Sequence, residues 1–200
     1  TLSALKKYFP NLVMFDSVLA SGFSDGSALV EVPTLMMGGA ALQSGAISIP
    51  MGGKILEENR TFASLIGPSQ KAVISKLTEE RHMVAKSFGI RNLLSPAEMI
   101  DTYGGSLRGD YSRPIPSQKM SKSLLRCGVI GSLVPLQSAG KIANVQVPVT
   151  NAMITLASSI LGADVSAAGR RLEAIGIDSG DIDTARRAMD AIATGEKYGR

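Results

Sequence analysis

The sequence predicts an all-α domain, and three observations carry that prediction. Aromatic residues make up only 4% of the 200 residues and Trp is absent, which disfavours a β-sandwich. The apolar content, 44% of the chain, is carried mainly by Ala, Leu, Ile, Met and Gly. Apolar side chains recur at helical spacing between cap residues, so we expect roughly seven or eight helices.

The first helix that the pattern predicts in detail follows Pro68 and stops at Gly89. Apolar residues fall near one of its faces: Val73, Leu77, Val84 and Phe88. A second, short helix is predicted from Ser95, because Ser95 and Glu98 form a capping-box pair with a proline between them. It should run toward Tyr103-Gly104.

Later helices are predicted from their caps. Thr150 is expected to cap a core helix that follows Pro148 and ends at Gly162. Asp164 should cap a segment through Ile175, and Asp181 another through Thr194 with Gly195 as its stop. Two connectors are rich in turn formers: Gly104 to Pro116 and Ile47 to Gly53. If helical, the small-residue run Gly38 to Ala46 would let another backbone or a flat ligand approach closely, and a tightly packed core helix is the alternative.

Composition restricts the chemistry. One cysteine, Cys127, excludes an internal disulfide and paired-thiolate zinc sites, so we expect a reducing compartment, the cytoplasm. A single histidine, His82, leaves no multi-histidine metal site, and we expect it to be a hydrogen-bonded helical residue. Cys127 is expected to be a small packed residue. A net charge of +4 without clustering does not favour nucleic acid, and no apolar run is long enough to span a membrane.

One pentapeptide suggests a different function. Lys119-Met120-Ser121-Lys122-Ser123 matches the phosphate-handling signature of class I aminoacyl-tRNA synthetases, in which two lysines on a mobile loop neutralise the triphosphate of ATP. Those enzymes also need an upstream His-Ile-Gly-His element, and this sequence has only His82. A synthetase fragment is therefore kept as an alternative.

A series of stretches between about Leu5 and Ile177 carries a family resemblance: Tyr8-Phe9-Pro10, Val32-Pro33-Thr34-Leu35, Leu77-Thr78-Glu79-Glu80-Arg81, Leu133-Val134-Pro135-Leu136, Gly140-Lys141-Ile142-Ala143, Pro148 to Gly162, and Gly169-Arg170-Arg171-Leu172-Glu173. In this order they resemble the C-terminal helical domain of the opine (octopine/nopaline) dehydrogenase family. Residues 1–200 would then form a single helical domain, with 178–200 as a C-terminal helix and tail. The chain begins with Thr1 rather than Met, so we expect it to be a fragment.

The resemblance implies an oxidoreductase that condenses an amino acid with a 2-oxo acid and reduces the imine with NADH or NADPH. A Rossmann domain, which precedes the helical domain in that family and is not found in this sequence, would bind the dinucleotide, so no cofactor-binding residue is expected in this chain. The isolated chain would then not be an enzyme, although the full-length protein would be one. A homodimer is compatible with this reading.

The resemblance also places the site residues. The family's catalytic histidine falls near Glu31, and its aspartate partner falls on Gly128. Glu31 is therefore the candidate catalytic residue, expected to line a cleft, to pair with a base, or to carry a raised pKa. Lys122 and Arg126 are the candidates for binding substrate carboxylates, and solvated helix charges are the alternative for the same two positions. Because both members of the His-Asp pair are replaced, a non-catalytic homologue that binds an amino acid or a partner is the other alternative.

Overall fold

The computed structural model describes residues 2–10, 12, 14–15, 17–38, 61–105, 114–177 and 181–194. These residues are predominantly helical and contain no β-strand; an isolated antiparallel bridge joins Thr61 to Pro114. The all-α prediction is confirmed. The small-residue run after Gly38, the connector at 47–53 and the predicted stop at Gly195 lie outside the described residues. No helix in the described ranges is both long and apolar enough to cross a bilayer.

Nine α-helices occur in the part of the chain that the structure describes. They are α1 (Leu2–Lys6), α2 (Val18–Ser24), α3 (Ser27–Met37), α4 (Pro68–Ser87), α5 (Pro96–Met99), α6 (Gln118–Gly128), α7 (Val134–Ile142), α8 (Pro148–Leu161) and α9 (Ile182–Thr194). Short 3₁₀ turns lie at Phe62–Leu65 and Leu172–Ile175. Wider π-helical turns at Ile100–Gly104 and Val129–Leu133 extend α5 and join α6 directly to α7.

Helix α4 has the boundaries that its sequence predicts. At its start the backbone N–H of Gly67 donates to the side-chain oxygen of Gln70 at 3.1 Å. At its end Gly89 takes a φ of +85°, and the N–H of Ile90 donates to the carbonyl of Ala85 at 2.9 Å. This left-handed glycine satisfies carbonyls that the helix end would otherwise leave without donors, so the predicted stop is confirmed.

The capping box of α5 is also confirmed. Ser95 N–H donates to the Glu98 carboxylate at 2.8 Å, and Glu98 N–H donates to Ser95 Oγ at 3.4 Å. Helical structure then continues through the π turn to Gly104, as the sequence indicates. The charged hydrogen bonds from Ser95 lower the pKa of Glu98.

The predicted cap of α8 is wrong, although its end is right. The helix begins at Pro148 and ends at Gly162, which takes the left-handed conformation at φ +62°. Thr150 lies inside the first turn and is fully buried. The N–H groups of Val149 and Thr150 are satisfied by a carboxylate from α4, so the helix needs no cap from its own sequence.

The helix predicted from Asp164 is replaced by turns and the 3₁₀ turn Leu172–Ile175. The Asp164 carboxylate does accept hydrogen bonds from two backbone N–H groups that follow it. The chain then leaves the helical path because the N–H of Arg170 donates to the carbonyl of Ile130 at 3.0 Å. By contrast, Asp181 caps α9 as predicted, accepting from Thr184 N–H at 3.1 Å.

The core has two apolar clusters that share α4. The first lies between α3, α6, α8 and the N-terminal half of α4, and its fully buried side chains include Leu29, Val32, Leu35, Leu77, Leu125 and Leu133. The second lies where the C-terminal half of α4 meets α7 and α9, and contains Val84, Phe88, Leu136, Ile142, Ile177 and Ala185. Helix α4 therefore holds the two halves together.

Candidate functional site

The two positions that the family resemblance assigns to acid–base chemistry lie at one helix–helix contact. Glu31 is half-buried on α3, between the fully buried Val30 and Val32. Gly128 ends α6, and a Cβ atom at this position would come within 3.0 Å of Val32 Cγ2 and 3.3 Å of Ala28 Cβ. The backbone of α6 therefore lies directly against the turn of α3 that carries Glu31.

The predicted carboxylate-binding residues lie elsewhere on α6. Lys122 and Arg126 are one helical turn apart and both are exposed, whereas Ser121 and Leu125 are buried. At about 100° per residue, the two cations lie about 120° and 160° around the helix from Gly128. Among ion pairs between described residues, none involves Lys122 or Arg126. Of the three environments expected for Glu31, pairing with Lys122 or Arg126 is therefore not among the ion pairs of the described residues.

The pentapeptide at Lys119–Ser123 is helical and forms the first turns of α6, so its expected placement on a mobile loop is wrong. Ser117 caps the helix, accepting from Met120 N–H at 3.4 Å. Ser121 is fully buried and its hydroxyl donates to the carbonyl of Pro116 at 3.2 Å. These contacts hold the segment in a fixed conformation, which does not favour the synthetase alternative.

The predictions for His82 and Cys127 have opposite outcomes. His82 is half-buried and its Nε2–H donates to the carbonyl of Leu94 at 3.0 Å, so the prediction of a hydrogen-bonded helical histidine is confirmed. Cys127 is exposed, so the prediction of a packed thiol is wrong. The reason is that Cys127 lies about 160° around the helix from Leu125, which is buried in the core, and so projects from the opposite face.

Two charged residues that the sequence analysis does not single out are buried side by side on α4. Glu80 is 4% exposed, yet its carboxylate is fully engaged. It accepts from Val149 N–H at 2.7 Å, from Thr150 N–H at 2.8 Å and from Thr150 Oγ1 at 2.7 Å. Glu80 therefore anchors the N-terminus of α8, a structural role.

Arg81 is 2% exposed and is less completely satisfied. Its Nη1 donates to the carbonyl of Phe23 at 3.2 Å, and its Nη2 donates to the carbonyl of Leu94 at 3.3 Å and contacts Met99 Sδ at 3.4 Å. Its Nε–H has no hydrogen-bond partner among the described residues. All three contacts are with neutral groups, so no carboxylate in the described ranges forms an ion pair with this guanidinium.

Burial is the main influence on the charge of Arg81. It lowers the pKa of the guanidinium, whereas the electrostatic influence of Tyr103 and Asp25 opposes the shift. An arginine keeps its proton in proteins under ordinary conditions. The positive charge of Arg81 therefore lies in an apolar interior, and Asp25 is the carboxylate whose charge acts on it.

Arg81 lines a cavity of about 310 Å³ between α2, α4, α7 and α9. The walls are mostly aliphatic and include Leu19, Phe23, Pro135, Leu136, Ala139, Leu172, Ile175, Ile177 and Met189. Asp25, Arg81 and Ser132 are the polar side chains in this lining. An apolar pocket with a few convergent polar groups has the composition of a small-molecule site.

A sequence signal for Arg81 does exist. Arg81 lies four residues after Leu77 and three before Val84, so it occupies the apolar stripe of α4. A charged residue on such a stripe is buried when the helix packs, and a buried charge needs a partner. The cavity itself gives no such signal, because its walls come from helices far apart in the sequence.

Compared with known protein families and with curated proteins, the sequence matches none. Among the described residues, no group of three or more His, Cys, Asp or Glu side chains is placed to hold a metal ion.

Proposed function

We propose that this chain is the substrate domain of an opine-dehydrogenase-like oxidoreductase, which condenses an amino acid with a 2-oxo acid and reduces the product with NADH or NADPH. The observation that carries the proposal is the contact of Gly128 with Ala28 and Val32, which lie on either side of Glu31. The two stretches are roughly a hundred residues apart in the sequence. The resemblance assigns an acid–base pair to these two stretches, and the packing of Gly128 against Ala28 and Val32 supports that assignment.

Glu31 is the group in this pair that has a side chain able to transfer a proton. When an amine and a 2-oxo acid form an imine, a hydroxyl group must leave as water, and a protonated Glu31 would supply the proton. General acid catalysis of this kind contributes ~10²–10⁴-fold. Glycine at position 128 has no side chain that could orient Glu31 or return a proton to it. We therefore expect slow turnover compared with an enzyme that has both members of the pair.

The described residues do not fit a dinucleotide. They contain no strand followed by a glycine-rich turn and a helix, which is the arrangement that holds a pyrophosphate. We therefore assign NADH or NADPH binding to a separate Rossmann domain and derive no hydride-transfer step from this chain. The exposed apolar side chains of Leu5, Tyr8 and Phe9, which are 50%, 75% and 61% exposed, support a second surface covering this end.

Lys122 and Arg126 would bind the substrate carboxylates from the exposed side of α6. They can do so only if the cleft is completed by another surface, either the Rossmann domain or the second subunit of a homodimer. A cytoplasmic enzyme acting on an amino acid and a 2-oxo acid is consistent with this arrangement.

The test uses the complete reading frame of the gene and measures NADPH or NADH oxidation with pyruvate and a panel of amino acids. We expect Glu31→Gln to reduce turnover at least about 100-fold, because the amide cannot donate the proton. The matched control is Glu79→Gln on the exposed face of α4, which should leave turnover unchanged. Circular dichroism of both variants establishes that the fold is intact.

Unchanged turnover in Glu31→Gln would remove Glu31 from the site. An absence of turnover with every amino acid, combined with saturable binding of one of them, would instead favour the non-catalytic alternative. The 200-residue chain alone should not bind NADPH, and a low-micromolar Kd in a fluorescence titration would contradict the domain assignment.

A further inference from the structure

The cavity lined by Arg81 combines two features that are costly to maintain without a ligand. Its walls are apolar, and one of its lining residues is Arg81, which is 2% exposed and whose Nε–H has no hydrogen-bond partner in the part of the chain that the structure describes. An unpaired buried donor and an uncompensated buried charge both destabilise a fold. The neighbouring Glu80, by contrast, has its carboxylate fully hydrogen-bonded.

The guanidinium keeps donors available for a further partner. Arginine has more N–H groups than the three contacts to Phe23, Leu94 and Met99 use. The planar group suits a carboxylate, whose two oxygens can accept parallel hydrogen bonds from it. A carboxylate would also neutralise the positive charge of Arg81. The existing contacts with two carbonyl groups and a thioether do not neutralise it, because these groups are uncharged.

The other residues that line the cavity indicate which kind of molecule would carry that carboxylate. Leu136, Ala139, Ile177 and Met189 offer aliphatic contacts without hydrogen-bonding side chains. A methionine in the wall adapts to irregular apolar chains. Among the described residues that line the cavity, Arg81 is the one cationic side chain, and the exposed Asp25 is a carboxylate that already acts on it. A second carboxylate on the ligand would therefore have no cation to pair with, which disfavours dicarboxylates.

We propose that this cavity is a binding site for an aliphatic monocarboxylate of the fatty-acid type, whose carboxylate pairs with Arg81 and whose chain lies among α7, the 3₁₀ turn Leu172–Ile175 and α9. The site does not include Glu31, Lys122 or Arg126, and the proposal does not depend on the proposed oxidoreductase function.

Two glycines allow the cavity to be filled without disturbing its walls. Gly22 on α2 and Gly131 on the π turn both line it, and a Cβ atom at either position would meet nothing within 4 Å. Gly22→Leu and Gly131→Leu should therefore occupy the space meant for the chain. Ala72→Leu, on the exposed face of α4 and outside the cavity, is the matched control.

The experiment is isothermal titration calorimetry of the 200-residue protein with octanoate. We expect saturable binding with one site, at least about tenfold weaker for octan-1-ol, which lacks the charge, and for acetate, which lacks the chain. Both Leu variants should lose octanoate binding, and Ala72→Leu should retain it. Contacts between the octanoate methylenes and the Met189 methyl group, seen as intermolecular NOEs, locate the ligand.

Arg81→Lys keeps the charge but removes the Nε–H, and should weaken octanoate binding at least about tenfold. If that variant does not fold, the two glycine variants still decide the question. Octanoate that does not bind, that binds the Leu variants as tightly as the parent, or that binds no better than octan-1-ol would overturn the proposal.

Discussion

Glu80 and Thr150 join two helices that are far apart in the sequence: the Glu80 carboxylate accepts from Thr150 N–H at 2.8 Å and from Thr150 Oγ1 at 2.7 Å. Both residues are buried, at 4% and 0% exposure. The negative charge lies at the N-terminus of α8, where the helix dipole and the free N–H groups favour an anion. This contact therefore fixes α8 against α4.

Glu80→Gln should destabilise the fold by about 2–4 kcal/mol. The amide removes the charge, and its NH₂ group would face either the N–H of Val149 or the donors of Thr150, which would lose their acceptor. Urea unfolding followed by circular dichroism at 222 nm measures the change. The control is Glu79→Gln, because Glu79 is exposed and its contacts among the described residues are with Ser75 and Lys76 on the same helix. Equal unfolding midpoints for the two variants would contradict the role given to Glu80.

Glu173 should make the stability of the fold depend on pH. Ser138 Oγ donates to its carboxylate at 2.6 Å, and Lys141 Nζ lies 3.7 Å away. Mainly through the Ser138 hydrogen bond, the pKa of Glu173 is lowered from its usual 4.5. A carboxylate whose pKa is lower in the folded state stabilises the fold above its unfolded pKa, and this contribution is lost as the pH falls through the folded value.

The matched variant is Glu173→Gln. At pH 7 its free energy of unfolding should be lower than that of the parent by about 0.5–1 kcal/mol. A buried charged hydrogen bond would contribute more, but the Glu173 side chain is partly exposed, and solvent weakens the interaction. The difference should shrink over the range of pH below 4.5, because the pKa of the folded carboxyl group is lowered from that usual value and the group takes up its proton only there. A difference that stays constant over this range would show that the carboxylate is not stabilised by its contacts.

Two glycine-to-alanine substitutions should change stability in opposite directions. Gly22 lies in α2 with nothing within 4 Å of a Cβ atom, so alanine should stabilise the fold by about 0.5–1 kcal/mol through helix propensity. A Cβ atom on Gly169 would overlap the side chain of Val134, so alanine there should cost about 1–3 kcal/mol. Thermal melting of the two variants should show shifts of opposite sign, and shifts of the same sign would contradict this reading of the packing.

Cys127 should react in the native state. It is the single cysteine of the chain and its side chain is exposed on α6. Ellman's reagent should therefore modify one thiol per chain without denaturant, at a rate close to that of the unfolded protein in urea. Slow modification that needs denaturant would show that the thiol is covered in solution. Cys127→Ser should leave the melting temperature nearly unchanged.

Local signals in the sequence correctly predict the features that local contacts determine. The capping box of Ser95 and Glu98, the left-handed Gly89 and the Asp181 cap each involve residues within a few positions of one another. Such contacts form wherever the helix forms, so their residue types are sufficient evidence.

Predictions failed where a distant residue supplies the deciding contact. Thr150 does not cap α8 because Glu80 occupies the helix N-terminus from another helix. The segment after Asp164 does not continue as a helix because Arg170 N–H bonds to the carbonyl of Ile130. For the candidate site, the roles given to Glu31 and Gly128 stay predictions, and the structure adds that Gly128 packs against Ala28 and Val32. The cavity around Arg81 depends on side chains from several helices and has no local signature.

The π turn at Val129–Leu133 joins α6 and α7 into one continuous helix, in which the side chains of the two parts are rotated relative to each other around the axis. One additional residue in a turn rotates everything after it by about 100° around the axis. The part before the turn directs Leu125 to the first cluster, and the part after it directs Leu136 and Ala139 to the second. Deleting one residue there would restore a uniform helical pitch. Helix α7 would then rotate about its axis, and a different face of it would point toward the core. The length of this segment therefore determines which face of α7 meets the second cluster.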